Sequence, residues 1–304
     1  MLERLFGNDA LKRDLSAALQ SGRLAHSILL IGEPGCGAGF AARCLAADYL
    51  YPAGGPHAEA VLRGEDTECI TLRGEGTSGQ IKVDKVRDAR NEIQRSALST
   101  NAAGRVLFIY GAQNLNVSSA NAMLKLMEEP PEGAMFLLTA ASAATVLPTI
   151  RSRCAAYTVA PVTPAECAAA LPELPRHKAE ELAFLYEGHI GTCRKALSEE
   201  KHKATLAAAK QLCGCAARQD GYLALSTLAK YEKDREGALL LFWQLTQLCS
   251  ACLRRPGFWE LFAPDDAARP AKVSLAAADA RKAVLANGNL RLALTVLGAE
   301  ITGT

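Results

Sequence analysis

The chain has 304 residues, a length that at about 150 residues per domain suggests two domains, or three if the later ones are small and helical. Hydrophobic residues make up 49% and charged residues 22%, which excludes a disordered chain, a collagen-like chain and a membrane bundle. The net charge of +2 and the aromatic content of 6% argue against a protein that binds nucleic acid by its own charge or by base stacking. Any contact with DNA is therefore expected to be local or shared with partners.

The sequence also indicates a compartment. Its first residues lack the basic start, apolar stretch and small-residue cleavage site of a secretory signal. The uncharged, largely apolar stretch of residues 238–253 is shorter than the ~20 apolar residues of a spanning helix and contains four polar residues. The ten cysteines are scattered, without the pattern of a disulfide framework. We therefore expect a cytoplasmic protein with reduced thiols and no membrane contact.

The first half of the chain alternates short apolar runs with helical patterns, which is typical of βαβ units and a parallel sheet. Between the runs, apolar residues recur at helical spacing, as Val86, Ile93 and Ala97 do. The predicted strands are residues 27–31, 68–72, 105–110, 135–139 and 155–159.

Beyond residue 159 the strand-type runs stop. Residues 160–164, Ala-Pro-Val-Thr-Pro, predict a linker followed by a helix start. The rest of the chain has helical patterns, with Gly188 and Gly191 between short helices and longer helices from about residue 201. A second domain boundary is therefore placed near residue 200.

Residues 32–39, Gly-Glu-Pro-Gly-Cys-Gly-Ala-Gly, stand between a predicted strand and a predicted helix, which is the context of a P-loop. A working P-loop reads G-x-x-x-x-G-K-[ST], where the lysine contacts the phosphates and the hydroxyl helps to hold Mg²⁺. Gly32 and Gly37 keep this spacing, but Ala38 replaces the lysine and Gly39 the hydroxyl residue. Backbone N–H groups could still bind an anion, whereas ATP hydrolysis is not expected. The alternative is a glycine-rich turn unrelated to nucleotide binding.

A second part of ATPase chemistry is also missing. P-loop NTPases hold Mg²⁺ with a carboxylate at the end of a neighbouring strand. The predicted strand 105–110 ends in Tyr-Gly-Ala-Gln at residues 110–113, without a carboxylate. Two independent losses indicate a specialised inactive member of a nucleotide-binding class.

Three further segments resemble a known family. They are residues 119–131, Ser-Ala-Asn-Ala-Met-Leu-Lys-Leu-Met-Glu-Glu-Pro-Pro, residues 136–139, Phe-Leu-Leu-Thr, and residues 149–154, Thr-Ile-Arg-Ser-Arg-Cys. In combination they are similar to the clamp-loader branch of the AAA+ proteins, from about Leu5 to the end of the chain. The Ser-Arg-Cys triplet beside a broken P-loop and a broken strand end resembles the non-hydrolysing type of bacterial clamp-loader subunit.

The resemblance implies the fold class. Residues 1–160 would form an α/β RecA-like AAA+ domain with a degenerate P-loop, in which helices flank a parallel sheet. Residues 161–200 would form a small all-α lid, and residues 201–304 an all-α collar through which subunits associate. Residues 287–294 resemble the last helix of that collar.

The resemblance also implies site residues. Arg153, between Ser152 and Cys154, corresponds to an arginine finger that projects into the ATP site of the neighbouring subunit. The alternative for Arg153 is an exposed ion pair at a helix end. Cys154 is expected to be a small packed residue and not a nucleophile. Thr139 aligns with a sensor position, and Arg194 with a nucleotide-sensing arginine for which a structural role is the alternative.

The function implied by the resemblance is mechanical. The chain would be a rigid stator that is no enzyme by itself but a component of a DNA-directed DNA polymerase holoenzyme, at the bacterial, nucleoid-associated replisome. Its partners would be the gamma/tau and delta subunits and, through the complex, the sliding clamp and primer-template DNA. Partner subunits would bind ATP and Mg²⁺, and this chain would hold no cofactor.

Two other functions stay open. The first is an active clamp-loader-type ATPase with a variant P-loop, which Ala38 and the missing carboxylate argue against. The second is a DNA-binding module acting alone, which the charge of +2 argues against.

No metal site is expected. Many bacterial relatives carry a four-cysteine zinc knuckle between the P-loop helix and the second strand, whereas residues 49–72 offer only His57 and Cys69. Four other cysteines form a C-x-C and a C-x-x-C pair in helical patterns, where core packing is favoured over metal binding. They are Cys213, Cys215, Cys249 and Cys252.

Other catalytic patterns are missing from the sequence. It contains no H-E-x-x-H and no G-x-S-x-G. Glu128 and Glu129 are adjacent but point to different sides of a helix, so an acid/base pair is not expected. Instead, they are expected to end a helix before Pro130.

Overall fold

The computed structural model describes residues 1–75, 79–95, 99 and 101–303. It confirms all five predicted strands, and no strand end differs from its prediction by more than one residue. Their bounds are β1 Ser27–Ile31, β2 Cys69–Arg73, β3 Arg105–Tyr110, β4 Ala134–Ala140 and β5 Ala155–Thr158.

The strands form one parallel sheet in the order β2-β3-β4-β1-β5. Strand β1 lies between β4 and β5, with Leu29 opposite Leu138 on one side and Ala156 on the other. Because all strands run in the same direction, their carboxyl ends meet at one edge. The loop after β1 and the end of β3 are therefore brought to the same side of the sheet, where parallel α/β folds place their ligands.

Helices cover both faces of the sheet, which is why its central strands β1, β3 and β4 are nearly continuous apolar runs, whereas the edge strands β2 and β5 alternate between buried and exposed residues. Ile28 and Leu30 pack with the helix after β1, and Leu29 packs on the opposite face. These three side chains have no exposed surface, and burying each one stabilises the fold by about 1.5–3 kcal/mol. The helices of this part are α1 Asp9–Gln20, α2 Ala38–Leu50, α3 Pro56–Arg63, α4 Val83–Ile93, α5 Val117–Glu128, α6 Pro148–Arg151 and α7 Pro164–Ala169.

The predicted helical face at Val86 and Ile93 lies on α4, where both side chains are buried. Ala97, which was assigned to the same face, lies outside the described residues. The predicted linker also leads into a helix. Thr163 caps α7 by accepting from the backbone N–H of Glu166, whose carboxylate accepts from the backbone N–H of Thr163.

The rest of the chain is helical, as predicted, and no strand follows β5 in the described part. Helix α12 packs against α10 and α13 through fully buried Leu241, Phe242 and Leu245. Asn289 caps α14 by accepting from the backbone N–H of Leu292. The bounds are α8 Arg176–Leu185, α9 Ile190–Ser198, α10 Glu200–Arg218, α11 Gly221–Ala229, α12 Arg235–Arg254, α13 Ala268–Leu285 and α14 Leu290–Thr302.

The chain divides into two compact units. The first contains residues 1–179 and 187–191, and the second residues 180–186 and 192–304. The α/β sheet with its flanking helices lies in the first unit, and the long helices lie in the second. The division into domains at residues 160 and 200 stays a prediction. Among the described residues, no helix combines the length and apolar character needed to cross a membrane.

Candidate functional site

The loop that joins β1 to α2 is a tight, glycine-rich turn, at the place where the sequence predicts a degenerate P-loop. Gly35 and Gly37 have φ angles of 95° and 107°, which side chains other than glycine rarely adopt. A Cβ at Gly32 would collide with the carbonyl oxygen of Val159 and the Sγ of Cys36. The glycines therefore fix a tight turn that ends at the amino terminus of a 13-residue helix.

The side chains that would bind and activate ATP are missing from this loop. Ala38 begins α2 with a buried methyl group where the lysine of a working loop would stand. Gly39 faces the ring of Tyr110, so that a Cβ at Gly39 would lie 3.2 Å from its Cε1 atom. The Arg73 guanidinium lies 4.4 Å from the centroid of the Tyr110 ring. The space that a Mg²⁺-binding hydroxyl would need next to α2 is thus bordered by an aromatic ring.

The end of β3 carries no carboxylate in the four residues 110–113. Instead, the backbone N–H of Gly111 donates to both the carbonyl and the hydroxyl oxygen of Thr139, at 3.1 and 3.2 Å. Thr139 thereby lies next to the end of β3, and its sensor-like role stays a prediction. Its hydroxyl accepts a bond that stabilises the turn after β3.

The glycine-rich loop is held by a second segment of the same unit. The backbone N–H of Gly191 donates to the carbonyl oxygen of Gly35 at 2.8 Å. Nearby, Nε2 of His189 lies 3.2 Å from the Glu33 carboxylate. A Cβ at Gly191 would be 3.0 Å from the Gly35 oxygen, so a larger residue there would push the loop backbone away by a few tenths of an ångström. The contact fixes the loop backbone at its tip.

Arg194 lies on α9 with an exposed side chain, and its carbonyl oxygen accepts from the hydroxyl of Ser198 at 2.9 Å. The role of Arg194 as a sensor or as a structural residue stays a prediction.

Arg153 lies in the turn between α6 and β5, directly after Ser152. Its Nε and Nη2 atoms donate to the same oxygen of Glu128, at 2.9 and 2.5 Å, and its Nη1 donates to the carbonyl of Thr149 at 3.2 Å. Ser152 donates its hydroxyl to the same Thr149 carbonyl at 3.1 Å. Because 38% of the Arg153 side chain is exposed, the guanidinium is accessible although it is paired. The structure therefore contains the ion pair that was the alternative interpretation of this residue.

Glu128 is the residue of this site that the sequence interpretation missed. It was expected only to end a helix before Pro130, and it is indeed the last residue of α5. Its pairing with Arg153 joins residues 25 positions apart, and no spacing rule connects them.

Cys154 is half-buried, and burial raises the pKa of its thiol to about 12. A thiol with such a pKa is protonated at neutral pH and is a poor nucleophile. This agrees with its interpretation as a small packed residue at the start of β5.

Candidate metal ligands lie in two regions, on helices α10 and α12 and between α2 and β2. In the part of the chain described by the structure, no group of three or more His, Cys, Asp or Glu side chains is arranged to hold a metal ion. Cys213 and Cys249 are free thiols buried in the helical core, where a hydrogen bond with Cys249 and burial raise the pKa of Cys213 well above its usual value. Between α2 and β2, Tyr51 donates to the Asp66 carboxylate at 3.1 Å, and the ring of His57 stacks on Tyr51. The absence of zinc stays a prediction.

The sheet order and the flanking helices define a RecA-like AAA+ domain. A solved structure confirms the fold. The DNA polymerase III gamma subunit-related protein of Thermotoga maritima superposes with a TM-score of 0.57 at 19% identity, and the match covers 95% of this chain and 98% of that one.

The family follows from the sequence comparison. The model of the family described as DNA polymerase III, delta subunit, matches residues 7–163, slightly more than half of the chain. The chain belongs to this family, and its expected place among the clamp-loader AAA+ proteins is confirmed.

Two curated relatives illustrate the similarity. The delta′ (delta prime) subunit of DNA polymerase III from Pseudomonas aeruginosa is 33% identical over 185 residues, which are 56% of this chain and 55% of the relative. The gamma/tau subunit from Mycobacterium tuberculosis is 34% identical over 155 residues, which are 48% of this chain and 26% of the relative. The matched segments thus span between a quarter and about half of the length of these relatives.

Proposed function

We propose that the chain is a delta prime-like subunit of the DNA polymerase III clamp loader, which donates Arg153 to an ATP bound by a neighbouring subunit. The observation that carries this proposal is the position of Arg153. It lies in an accessible turn directly before β5, within an intact Ser-Arg-Cys triplet, in a chain whose own loop lacks the side chains for hydrolysis.

The state of the loop supports a non-hydrolysing role. The methyl group of Ala38 supplies no positive charge for the β- and γ-phosphates, and residues 110–113 supply no ligand for Mg²⁺. The Tyr110 ring beside Gly39 adds a steric obstacle where the metal-binding hydroxyl would stand. With these groups missing, we infer that turnover depends on ATP and Mg²⁺ bound by other subunits.

The chemistry of arginine supports a role in trans. A guanidinium is always charged at neutral pH and offers parallel N–H donors that match phosphate oxygens. Placed at the γ-phosphate of a neighbour, it would stabilise the negative charge of the transition state. Such a group must lie at a surface of its own subunit, and the exposed fraction of 38% meets that requirement.

The proposed direct partners of the chain are the gamma/tau and delta subunits. Through the complex, it would also act on the sliding clamp and primer-template DNA. The relatives named as DNA polymerase III subunits support this assignment, as does the low net charge of +2, which favours DNA binding shared among subunits. In this setting the chain would work in the bacterial cytoplasm at the nucleoid-associated replisome.

A reconstitution experiment tests the proposal. The chain is mixed with the delta and gamma/tau subunits, assembly is confirmed by gel filtration, and ATPase and clamp-loading rates are measured with clamp and primed DNA. We expect Arg153→Ala to assemble normally and to lower both rates. Normal rates in a confirmed assembly would contradict the role of Arg153.

The second candidate is an active ATPase of the clamp-loader type, which the identity with a gamma/tau subunit favours. A titration of the isolated chain with labelled ATP separates the two functions. Micromolar binding together with turnover that needs the Gly32–Gly39 loop would support the ATPase. We expect neither, because Ala38 and Tyr110 stand where the catalytic groups belong.

A further inference from the structure

Glu128 and Arg153 form an ion pair that joins two elements of the first unit. Glu128 is the last residue of α5, and Arg153 follows α6 in the turn before β5. One carboxylate oxygen accepts from both Nε and Nη2 of Arg153, at 2.9 and 2.5 Å. On the other side of the guanidinium, the carbonyl of Thr149 accepts from Nη1 at 3.2 Å. The two acceptors together fix the plane of the group.

The same contacts leave part of the guanidinium available. An arginine side chain has five N–H donors, and these bonds use three of them. One donor remains on Nη1 and one on Nη2. Neighbouring terminal donors of this kind bind two oxygens of a phosphate in parallel. These contacts therefore leave one N–H on each terminal nitrogen of Arg153 for another anion.

The position of Glu128 is unfavourable for the helix that carries it. The carboxyl end of a helix has a partial negative charge, so an acidic residue there is destabilising by a few tenths of a kcal/mol or more. Glu129 follows directly and adds a like charge. The positive charge of Arg153 offsets this repulsion, and the contact therefore explains why a glutamate is tolerated at the end of α5.

From this geometry we propose that Glu128 is a positioning residue for Arg153. It orients the guanidinium so that the two remaining donors face the phosphate of the neighbouring subunit. This inference rests on the proposed function, because it assumes that Arg153 acts in trans. It adds a residue that does not touch ATP itself and acts only through the arginine.

The neighbouring glutamate provides a matched control. Glu129 is exposed, and no ion pair links it to a described residue. Glu128→Gln and Glu129→Gln remove the same charge at adjacent positions, but only the first removes the contact with Arg153. Both variants and Arg153→Ala are assembled with delta and gamma/tau subunits, and the kcat and KM for ATP are measured with clamp and primed DNA. Thermal unfolding of each isolated chain shows whether the fold is intact.

We expect the drop in kcat caused by Glu128→Gln to be about half or more of the drop caused by Arg153→Ala. An exposed ion pair of this kind is worth up to a several-fold change in rate. The KM for ATP is expected to stay within about twofold, because binding energy in the neighbour's site is unchanged. Glu128→Asp keeps the charge but shortens the side chain, and its kcat is expected to lie between those of Glu128→Gln and wild type. Glu129→Gln should behave like wild type.

The outcomes separate the inference from the proposed function. If Arg153→Ala lowers kcat and Glu128→Gln does not, the positioning role is wrong and the proposed function survives. If Arg153→Ala has no effect, the proposed function fails. A higher kcat in Glu128→Gln would mean that the carboxylate restrains the arginine, and would also overturn the inference. In the Arg153→Ala background, Glu128→Gln should add nothing, and a further loss would show that Glu128 acts on another group.

Discussion

The ring of Tyr110 lies against Gly39, so that a Cβ on the glycine would be 3.2 Å from Cε1 of the tyrosine. The two residues stand at the places where a working P-loop ATPase has a metal-binding strand end and a metal-binding hydroxyl. Phe108 and Arg73 hold the tyrosine, at 5.6 Å between ring centroids and 4.4 Å from guanidinium to ring. The proposed loss of catalysis would therefore involve a side chain that borders the loop as well as side chains that the sequence lacks.

We predict that Ala38→Lys combined with Gly39→Thr does not restore ATP hydrolysis in the isolated chain. The lysine and hydroxyl would be present, but the threonine would press on Tyr110 and no carboxylate would follow β3. Hydrolysis is measured as phosphate release, with the assembled loader as positive control. Turnover by the wild-type chain that a change in the Gly32–Gly39 loop abolishes would contradict this account.

The buried ion pair at the other end of the sheet should be important for stability. Arg105 and Glu68 are 5% and 0% exposed, with Nε and Oε2 3.2 Å apart. Arg105 also donates to the carbonyls of Glu92 and Thr67, and Glu68 accepts from the backbone N–H of Ser99 at 2.7 Å. The half-exposed Glu92 carboxylate also lies 3.7 Å from Nη2 of Arg105, so removing Glu68 leaves a buried charge with only this weaker partner.

We expect Glu68→Gln to lower the free energy of unfolding by about 3–5 kcal/mol, the usual cost of breaking a buried pair. Replacing both residues with methionine should cost less, because no charge is then left unpaired. Urea unfolding of the three chains measures the difference. A Glu68→Gln chain as stable as wild type would show that water reaches the arginine.

Asp234 caps α12, the 20-residue helix at the centre of the second unit. Its carboxylate accepts from the backbone N–H of Gly237 at 2.8 Å and lies 3.3 Å from the Lys201 ammonium. The hydrogen bond from the backbone N–H of Gly237, together with the hydrogen bond and positive charge of Lys201, lowers the pKa of Asp234. A group with a lowered pKa in the fold stabilises the fold above its unfolded pKa, and that stability is lost as the pH falls through the folded value.

We therefore predict that Asp234→Ala lowers the free energy of unfolding by about 1 kcal/mol at pH 7. Asp234→Asn should cost less, since asparagine also caps helices. At pH 7 the wild type should have a higher free energy of unfolding than the asparagine variant. This difference should disappear as the pH falls below about 4 and through the lowered pKa of Asp234. Denaturant titrations at pH 7 and pH 3 test this, and an advantage that grows on acidification would contradict it.

The purified chain is expected to contain much less than one zinc per molecule. Residues 49–72 offer only His57 and Cys69 as nitrogen or sulfur ligands, and Tyr51 donates to the buried Asp66 carboxylate. Atomic emission after dialysis gives the metal content. Stoichiometric zinc that survives dialysis would refute the prediction and direct attention to the cysteines of α10 and α12.

The sequence predicted the elements of the fold better than the contacts of the site. The central strands were predictable because each is a nearly continuous apolar run, a pattern that sheet burial on both faces requires. The contact of Tyr110 with Gly39 depends on how β3 and α2 approach each other, which neither segment encodes alone. The same is true of Gly191 and Gly35, which are 156 positions apart in the sequence and are joined by a backbone hydrogen bond. The pairing of Glu128 with Arg153 was missed for the same reason.

The most direct test of the central claim is the effect of Arg153→Ala on a reconstituted loader. Arginine fingers supplied in trans are worth about 10³–10⁵ in rate at their own site, but only one of several ATP sites would lose its finger here. We therefore predict normal assembly, a partial loss of clamp- and DNA-stimulated ATPase and a larger loss of clamp loading, with poor rescue by Arg153→Lys because a point charge does not reproduce the planar fork. Unchanged ATPase and clamp-loading rates in a confirmed assembly would mean that Arg153 is a surface residue held by Glu128, and would contradict the account.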